Sequence, residues 1–201
     1  VFVVDEAGSG LSGSTTTALL AAATLRQHPG ATILHNLICS KAVPEVVTEL
    51  GGNPVRTRVG HSFIKQVMAE TGAEFGGEHS AHYYFARNFN ADSGLIASLM
   101  VMAEVGRSGQ ALSVVRKPYE RYAASGEINT EVTDANAVIE RISALYESCS
   151  QDRLDGLTVA CGSWWFNLRP SNTEPLLALN PEAHDRTGGD DRVSAGPGPL
   201  P

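Results

Sequence analysis

Residues 53–85 read NPVRTRVGHSFIKQVMAETGAEFGGEHSAHYYF, and this stretch decides the fold. Residues 55–58 and 82–85 are rich in the side chains that strands prefer. Between them, residues 61–70 carry apolar side chains at the three- and four-residue spacing of a helix with one buried face. A strand, a helix and a further strand in this order predict a mostly parallel α/β sheet.

The same alternation continues on both sides of this stretch. We predict a buried strand at 1–4, a helix over 15–27 capped by Ser14, a strand at 31–34, a helix that begins near Pro44, and a helix over 93–105. Later residues predict strands around 127–132, 156–168 and 175–180, with a helix over 135–148. We therefore expect a mixed, mostly parallel α/β/α domain followed by a smaller α+β domain.

Composition shifts indicate where these domains begin and end. We expect residues 1–10 to be the final strand of a truncated preceding domain, 11–118 to be the α/β domain and 119–184 the α+β domain. Residues 185–201, rich in Gly, Pro and Asp, lack periodicity and are expected to be disordered. Because the chain opens with Val inside an apolar run, we also expect it to be a fragment.

The composition excludes several classes of partner. The 201 residues, 42% hydrophobic and 18% charged, are typical of a globular protein with a sizeable core. A net charge of −7 disfavours nucleic acid and anionic membranes, and no apolar run reaches the length of a membrane span.

The chain has three cysteines, Cys39, Cys149 and Cys161. Their odd number and wide spacing indicate neither a disulfide scaffold nor a zinc site. A reducing, cytoplasmic setting is the default expectation.

A polar loop between two apolar runs contains the first candidate ligand site. Residues 169–175 read Arg-Pro-Ser-Asn-Thr-Glu-Pro. The planar guanidinium of Arg169 matches a phosphate or carboxylate, and a proline near each end stiffens the loop. Further donors follow at Ser171, Asn172 and Thr173. An ordinary polar turn is the alternative, but the seven residues together favour phosphate binding.

A second polar loop, residues 76–82, reads Gly-Gly-Glu-His-Ser-Ala-His. Its paired glycines allow a close backbone approach. Glu78 can accept hydrogen bonds from vicinal sugar hydroxyls, Ser80 can donate or accept, and His82 can carry a proton near neutral pH. His61 stands at a predicted strand-to-helix junction, where helix-terminal N–H groups favour anions. The pattern therefore indicates recognition of a polar, phosphorylated ligand.

Three other interpretations of this loop stay open. Glu78, His79 and His82 could bind a metal, although the helical H-E-x-x-H arrangement is absent. Ser80 with His82 could indicate a hydrolase, although there is no G-x-S-x-G elbow. The loop could also be purely structural, with His61 a half-buried histidine whose hydrogen bonds are satisfied.

The chain resembles the C-terminal half of the α-D-phosphohexomutases over about residues 1–183. The motifs that carry the resemblance are GEHSAH at 77–82, RPSNTEP at 169–175 and VGH at 59–61. The resemblance implies a complete enzyme of four domains around a cleft. A phosphoserine of its first domain exchanges the phosphoryl group with the 1- and 6-positions of a hexose. An aspartate-rich Mg²⁺ loop in its second domain stabilises this transfer.

The resemblance also implies a role for each candidate residue. The domain at 11–118 recognises the sugar, with His61, Glu78 and Ser80 expected to bind the substrate and His82 expected to be catalytic. The domain at 119–184 grips the non-reacting phosphate. The residues expected to do so are Arg169, Ser171, Asn172 and Thr173.

Some parts of the family pattern have no counterpart here. No residue matches the phosphoserine, and the Mg²⁺ ligands are expected to be absent from this chain, since Asp5 and Glu6 follow the position of the metal loop. Ile38 stands where a basic residue is often found, with Lys41 nearby. We interpret the chain as an incomplete phosphohexomutase whose partners are a hexose phosphate and the missing N-terminal half. A stand-alone phosphosugar-binding module without catalysis is the alternative.

Overall fold

The computed structural model describes residues 1–171 and 175–184, which form two compact units that divide after Arg121. Each unit has its own sheet and its own hydrophobic core. The tail predicted at 185–201 lies outside the described residues. Within the described part of the chain, no helix is long and apolar enough to cross a membrane.

The first unit, Val1–Arg121, alternates helices and strands. Its elements are α1 (Gly13–Gln27), β1 (Thr32–Asn36), α2 (Ala42–Glu49), β2 (Asn53–Thr57), α3 (His61–Thr71), β3 (Phe75–Gly77), β4 (Tyr83–Phe85), β5 (Ala91–Asp92), α4 (Gly94–Ser108) and α5 (Leu112–Val115). The strands pair in the order β2-β1-β3-β4-β5. β1 is parallel to β2 and β3, whereas β4 is antiparallel to β3 and β5. The prediction of a mixed α/β fold is confirmed.

The side chains of this sheet alternate between two faces because successive residues of a strand point in opposite directions. On one face, Ile33 and Phe75 join a buried cluster with residues of α1 and α4. On the other face, Leu34 and Tyr84 join a cluster that includes Ile64 of α3. Helices on both faces make this unit a three-layer α/β/α sandwich.

The N-terminal segment differs from the prediction of a buried strand at 1–4. Val4 forms only an isolated bridge, and Phe2 and Val4 are 67% and 59% exposed. The chain turns at Asp5, whose carboxylate accepts the backbone N–H of Ser9 at 2.8 Å. In this chain residues 1–4 therefore do not form a buried strand, and an Asp side chain that binds nearby backbone N–H groups favours the turn that follows. The assignment of residues 1–10 to a preceding domain stays a prediction.

Helix α1 begins earlier than predicted because a different serine caps it. The side chain of Ser12 accepts the backbone N–H of Thr15 at 3.0 Å, which satisfies one of the free donors of the first turn. Ser14, the predicted cap, lies inside the first turn instead.

The second unit is an antiparallel sheet with helix α6 packed against it. Its elements are β6 (Ala123–Ala124), β7 (Ile128–Glu131), α6 (Ala135–Leu145), β8 (Ser150–Asp152), β9 (Leu157–Cys161), β10 (Trp164–Pro170) and β11 (Leu176–Ala183). The strands pair in the order β6-β11-β10-β9-β8, and β7 also pairs with β11. Ile139 and Ile142 of α6 pack with Leu157, Phe166 and Leu168 of the sheet.

Cys149 and Cys161 form a disulfide, which their count and spacing did not indicate. Cys149 directly precedes β8 and Cys161 ends β9, and the pairing of Ser150 with Ala160 sets the two cysteines side by side. Their Cα atoms are 5.2 Å apart, a separation typical of disulfides. Cys39 is buried and is not part of this disulfide. The expectation of no disulfide was wrong because strand register, and not sequence spacing, brings cysteines together.

Candidate functional site

The first candidate site is built around the buried carboxylate of Glu78, which follows directly after β3 and is 2% exposed. Its Oε1 accepts the hydroxyl hydrogen of Tyr84 at 2.7 Å. Its Oε2 accepts the side-chain amide of Asn36 at 3.3 Å and the backbone N–H of Gly60 at 3.4 Å. Asn36, Gly60 and Glu78 lie at or beyond the carboxyl ends of the parallel strands β1, β2 and β3. Ligands of open α/β sheets bind at this edge.

The loop after Glu78 is a tight turn that leads into β4. The N–H of Glu78 donates to the carbonyl of His82, and the N–H of Ala81 donates to the carbonyl of Glu78, both at 3.0 Å. Ala81 has φ +63°, in the left-handed region that non-glycine residues rarely adopt. The turn also packs on the start of α1, where a Cβ on Gly13 would lie 2.1 Å from the carbonyl oxygen of His79. Neighbouring structure therefore holds this strained turn in one conformation.

The fold brings His61 and His82 together beside Glu78. His61 is the first residue of α3, and His82 directly precedes β4. Their ring centroids are 4.6 Å apart, with an angle of 73° between the planes. The Nδ1 of His82 lies 3.1 Å from the hydroxyl of Ser80, which is exposed to solvent. Three of the predicted site residues in this loop and His61 from α3 therefore share one location.

The tautomer of His61 follows from its hydrogen bonds. Its Nδ1 lies 2.7 Å from the hydroxyl oxygen of Tyr84. Burial, and then the hydrogen bond to Glu78, raise the pKa of Tyr84 above its usual value of 10.0, so the phenol keeps its hydrogen. That single hydrogen is donated to Glu78, so Tyr84 must accept from His61. Nδ1 of His61 therefore carries a proton, and Nε2 keeps its lone pair when the ring is neutral.

His79 does not join this group. Its Nδ1 lies 2.9 Å from the hydroxyl of Ser14 at the start of α1. The metal alternative considered from the sequence, which paired His79 with Glu78 and His82, is therefore not the set that the fold assembles. The ligand atoms of His61, Glu78 and His82 instead all lie within 4.8 Å of one another. Sequence spacing missed this set because the pairing of β1, β2 and β3 brings α3 to the loop.

Sequence reasoning also missed Tyr84 and Asn36, which hold the Glu78 carboxylate. The sequence places Tyr84 only within the predicted strand at 82–85, and it places Asn36 just beyond the predicted strand at 31–34. The available signal was their position, since each lies on a strand next to the site-bearing edge of the sheet.

The second candidate site lies in the second unit, where β10 passes into β11. The N–H of Ser171 donates to the carbonyl of Leu176 at 2.8 Å and closes this hairpin. The side chain of Arg169 is 15% exposed, and its guanidinium lies 3.9 Å from the carboxylate of Glu127. Its Nε is buried without a hydrogen-bond partner among the described residues. The carboxylate of Glu127 also accepts a hydrogen bond from the side-chain amide of Asn180 at 3.3 Å, so Arg169 shares this carboxylate with Asn180.

The structure accounts for only part of the predicted phosphate loop. Arg169 and Ser171 lie at the same end of the hairpin, within the described residues. Asn172 and Thr173 lie outside them.

Two family profiles match this chain, one for each unit. Residues 12–122 match phosphoglucomutase/phosphomannomutase, alpha/beta/alpha domain III, and residues 127–191 match the phosphoglucomutase/phosphomannomutase C-terminal domain. The fold and these two matches define the class of protein: an alpha/beta/alpha domain III followed by a C-terminal domain of the phosphoglucomutase/phosphomannomutase kind. The chain belongs to the phosphoglucomutase/phosphomannomutase family, and the predicted resemblance to its C-terminal half is confirmed.

Curated relatives are similar to this chain along most of its length. A phosphomannomutase of Methanocaldococcus jannaschii is 43% identical over 183 residues, which cover 91% of this chain and 41% of the relative. A phosphomannomutase of Salmonella montevideo is 43% identical over 185 residues, with coverage of 90% and 41%. The chain therefore spans about two fifths of the length of these relatives.

Solved structures agree with this assignment. A phosphoglucomutase/phosphomannomutase family protein from Burkholderia thailandensis matches 96% of this chain and 43% of its own, with a TM-score of 0.83 and 26% identity. An N-acetylphosphoglucosamine mutase from Aspergillus fumigatus, solved with GlcNAc-6P and magnesium, matches with a TM-score of 0.63 and 13% identity. It covers 96% of this chain and 48% of its own, and it supports the fold alone.

Proposed function

We propose that this chain is the sugar- and phosphate-binding half of a phosphohexomutase that interconverts hexose 1-phosphate and hexose 6-phosphate. The observation that carries the proposal is the buried Glu78 carboxylate, held by three protein donors, with Ser80 and His82 beside it, in a domain of this family. The relatives named phosphomannomutase support the reaction class. Since the chain spans 41% of their length, the reaction itself belongs to the whole protein.

In this proposal, Glu78 and Ser80 read the hydroxyls of the hexose. The hydrogen bonds from Tyr84, Asn36 and Gly60 leave lone pairs on the carboxylate, which can accept vicinal hydroxyl hydrogens. Because that network already fixes the carboxylate, binding costs little additional side-chain entropy.

His82 is the proposed proton carrier at the reacting hydroxyl. Its Nδ1 lies against Ser80, which leaves Nε2 as the nitrogen that can meet a substrate. A neutral imidazole can accept the proton of the attacking hydroxyl on this nitrogen.

Arg169 is the proposed grip on the non-reacting phosphate. Its guanidinium is largely buried, the carboxylate of Glu127 is 3.9 Å away, and its Nε has no partner among the described residues. Phosphate oxygens would satisfy those donors with charge-assisted hydrogen bonds. We propose that the side chains of Ser171, Asn172 and Thr173 add further donors, since the N–H of Ser171 already closes the hairpin.

The described residues do not fit the Mg²⁺ that the family implies. When bound, the ion neutralises charge on the transferring phosphoryl group. The carboxylate of Asp5 forms an ion pair with the guanidinium of Arg116 at 2.8 Å. The carboxylate of Glu6 accepts hydrogen bonds from both the hydroxyl and the N–H of Ser113. We therefore propose that the Mg²⁺ ligands and the phosphoserine belong to the N-terminal half.

Calorimetry with mannose 6-phosphate, mannose and inorganic phosphate tests the phosphate grip. Arg169→Ala should weaken mannose 6-phosphate binding by about 10- to 150-fold, since a hydrogen bond to a charged group contributes about 1.5–3 kcal/mol. Arg153→Ala is the matched control, because Arg153 pairs with Glu140 on the surface of the same unit. An equal loss for mannose and its phosphate would contradict the assignment.

The sugar-reading loop is tested with the same ligands. Glu78→Gln and Ser80→Ala should weaken mannose 6-phosphate binding while inorganic phosphate binding stays nearly unchanged. A parallel fall in phosphate affinity would show that these residues shape the site without reading the sugar.

A turnover assay separates the enzyme half from a stand-alone phosphosugar-binding module. The purified chain should not convert mannose 1-phosphate to mannose 6-phosphate, even with Mg²⁺ and a bisphosphorylated sugar. Addition of the N-terminal part of a relative should restore conversion. Turnover by the chain alone would overturn the proposed division of labour, and tight sugar-phosphate binding without any restoration would favour the binding module.

A further inference from the structure

We propose that His61, Glu78 and His82 form a binding site for a divalent transition metal ion such as Zn²⁺. Their ligand atoms all lie within 4.8 Å of one another. Two imidazoles and one carboxylate suit Zn²⁺, Co²⁺ or Ni²⁺, whereas Mg²⁺ prefers oxygen ligands alone. This site is therefore chemically distinct from the Mg²⁺ site that the family implies.

The hydrogen bonds leave one nitrogen of each histidine available. His61 uses Nδ1–H to donate to Tyr84 at 2.7 Å, and Tyr84 in turn donates to Glu78 at 2.7 Å. The hydroxyl of Ser80, 3.1 Å away, can accept Nδ1–H of His82. In both rings, Nε2 then keeps its lone pair for a metal. Metal-bound histidines commonly have such a supporting partner on the other nitrogen.

The burial of Glu78 favours a cation at this position. Its carboxylate is buried, and within the described part of the chain it forms no ion pair with Lys or Arg. Buried carboxylates are usually paired with a cation or bound to a metal. A metal between the two imidazoles would supply the charge that the protein side chains do not.

Metal binding requires the ligand atoms to move closer together, with each imidazole presenting Nε2. Ligand atoms about 2.0–2.1 Å from a tetrahedral Zn²⁺ lie about 3.3 Å apart, which is less than the 4.8 Å limit seen here. We expect the histidine side chains to move and Glu78 to stay in place. His61 is exposed and His82 is half-buried, whereas Glu78 is held by three hydrogen-bond donors. Three protein ligands leave the fourth position open for water.

A metal at this site would compete with the sugar, because Glu78 and His82 serve both. This second part of the inference rests on the proposed function, whereas metal binding itself does not. We expect Zn²⁺ to act as an inhibitor of hexose-phosphate binding, and to be displaced only at high sugar-phosphate concentration.

The test is a titration of the untagged full chain with Co²⁺, followed by absorption spectroscopy, and with Zn²⁺, followed by calorimetry. The buffer contains neither phosphate nor sugar. We expect the visible absorption bands of histidine-bound Co²⁺ and one Zn²⁺ per chain, with excess Mg²⁺ causing no displacement. His61→Gln and His82→Gln should each weaken binding by more than the roughly 10- to 100-fold that loss of a supporting partner costs, and Tyr84→Phe by roughly 10- to 100-fold.

His28→Gln is the matched control, since His28 lies in the same unit but contacts Arg87. Circular dichroism confirms that each variant is folded. Unchanged Zn²⁺ affinity in both His61→Gln and His82→Gln would overturn the metal site. Zn²⁺ binding that leaves mannose 6-phosphate affinity unchanged would overturn only the competition, and would count against the proposed sugar site.

Discussion

The two candidate sites treat their central charge in opposite ways. The Glu78 carboxylate of the first unit is buried and accepts hydrogen bonds from three groups of the protein. The Arg169 guanidinium of the second unit is also largely buried, but its Nε has no partner among the described residues and the carboxylate of Glu127 is 3.9 Å away. The protein holds the first charge through three hydrogen bonds, whereas Nε of the second has no partner among the described residues.

This difference separates two ways of building a binding group. A group that the protein already satisfies stays in place without ligand, and its removal harms the fold as well as binding. A group that the protein leaves unsatisfied carries a desolvation cost until an anion arrives, so its removal harms mainly binding.

The contrast predicts a large stability loss for Glu78→Ala. The substitution leaves the Tyr84 hydroxyl, the Asn36 amide and the Gly60 N–H without their acceptor, and each buried orphan costs about 1–3 kcal/mol. We expect unfolding to become easier by about 3–5 kcal/mol, measured by urea unfolding with far-UV circular dichroism.

A surface carboxylate provides the control for this prediction. Glu70 is exposed on α3 and bonds only to Gln66 one turn away, so Glu70→Ala should change stability by about 0.5 kcal/mol or less. If Glu78→Ala and Glu70→Ala behaved alike, Glu78 would not be part of the fold.

The same sheet edge predicts a loss of stability in mild acid. Burial, with a smaller effect of the charge on Arg56, lowers the pKa of His35 from 6.5 to about 4, although its bond to the carbonyl of Asn36 opposes the shift. Between these values the unfolded chain binds more protons than the native one, so stability should fall as pH drops from 6.5 to 4. The full loss is about 3 kcal/mol.

Unfolding by urea at a series of pH values measures this effect. His35→Gln removes the titrating group and should flatten the pH dependence above the range where carboxylates titrate. A slope that is the same in both proteins would assign the acid sensitivity to other groups.

The second unit contains a disulfide, whose contribution to stability can be measured separately from that of the hydrogen bonds. The Cys149–Cys161 disulfide closes a loop with a sequence separation of 12, for which the loss of chain entropy predicts about 2–3 kcal/mol of stabilisation. Trp164 and Trp165 both lie in β10, so tryptophan fluorescence reports on this unit. We expect Cys149→Ser to lower the fluorescence-detected urea midpoint.

Reduction gives the control. A thiol reductant should lower the midpoint of the unmodified chain and leave that of Cys149→Ser unchanged. A thiol count in denaturant should find one thiol, that of Cys39, in the oxidised chain. A count of three would show that the disulfide does not form.

The sequence predicted most elements because their signals are local. The apolar spacing of residues 61–70 gave α3 to within one residue at its end, and Ala135 was the correct start of α6. The apolar composition of residues 1–4 does not specify the strand that they pair with, and in this chain only Val4 forms an isolated bridge. Pairing of Cys149 with Cys161 likewise depends on strand register, which no local pattern encodes.

The candidate site shows the same limit. The loop containing Glu78 and Ser80 could be identified from its residue types, because glycines allow close backbone approach and because a carboxylate and a hydroxyl form hydrogen bonds in any fold. Its support could not, since Tyr84 and Asn36 are ordinary strand residues until the sheet aligns them with Glu78. The structure thus adds the hydrogen-bond network. That network shows whether a buried charged group already has protein hydrogen-bond partners or has donors and acceptors without one.

The smallest expected stability effect is that of Arg169→Met, and it is the sharpest test of the contrast. Methionine keeps an apolar stem of similar length and removes a buried charge whose Nε has no partner among the described residues. Stability should therefore change by less than about 1 kcal/mol, and in the stabilising direction if desolvation of the guanidinium dominates. Tryptophan fluorescence during urea unfolding measures it.

Glu182→Gln is the reference for this measurement, because the buried Glu182 accepts Trp165 Nε1–H at 2.9 Å in the same sheet and is satisfied by the protein. Weakening that bond by removing the charge should cost more than Arg169→Met does, since hydrogen bonds to charged groups contribute about 1.5–3 kcal/mol and neutral ones about 1 kcal/mol. The contrast fails if Arg169→Met costs as much as Glu78→Ala, because Arg169 would then hold the fold together. If Arg169→Met leaves stability nearly unchanged but abolishes the preference for mannose 6-phosphate over mannose, the guanidinium is held for its ligand alone.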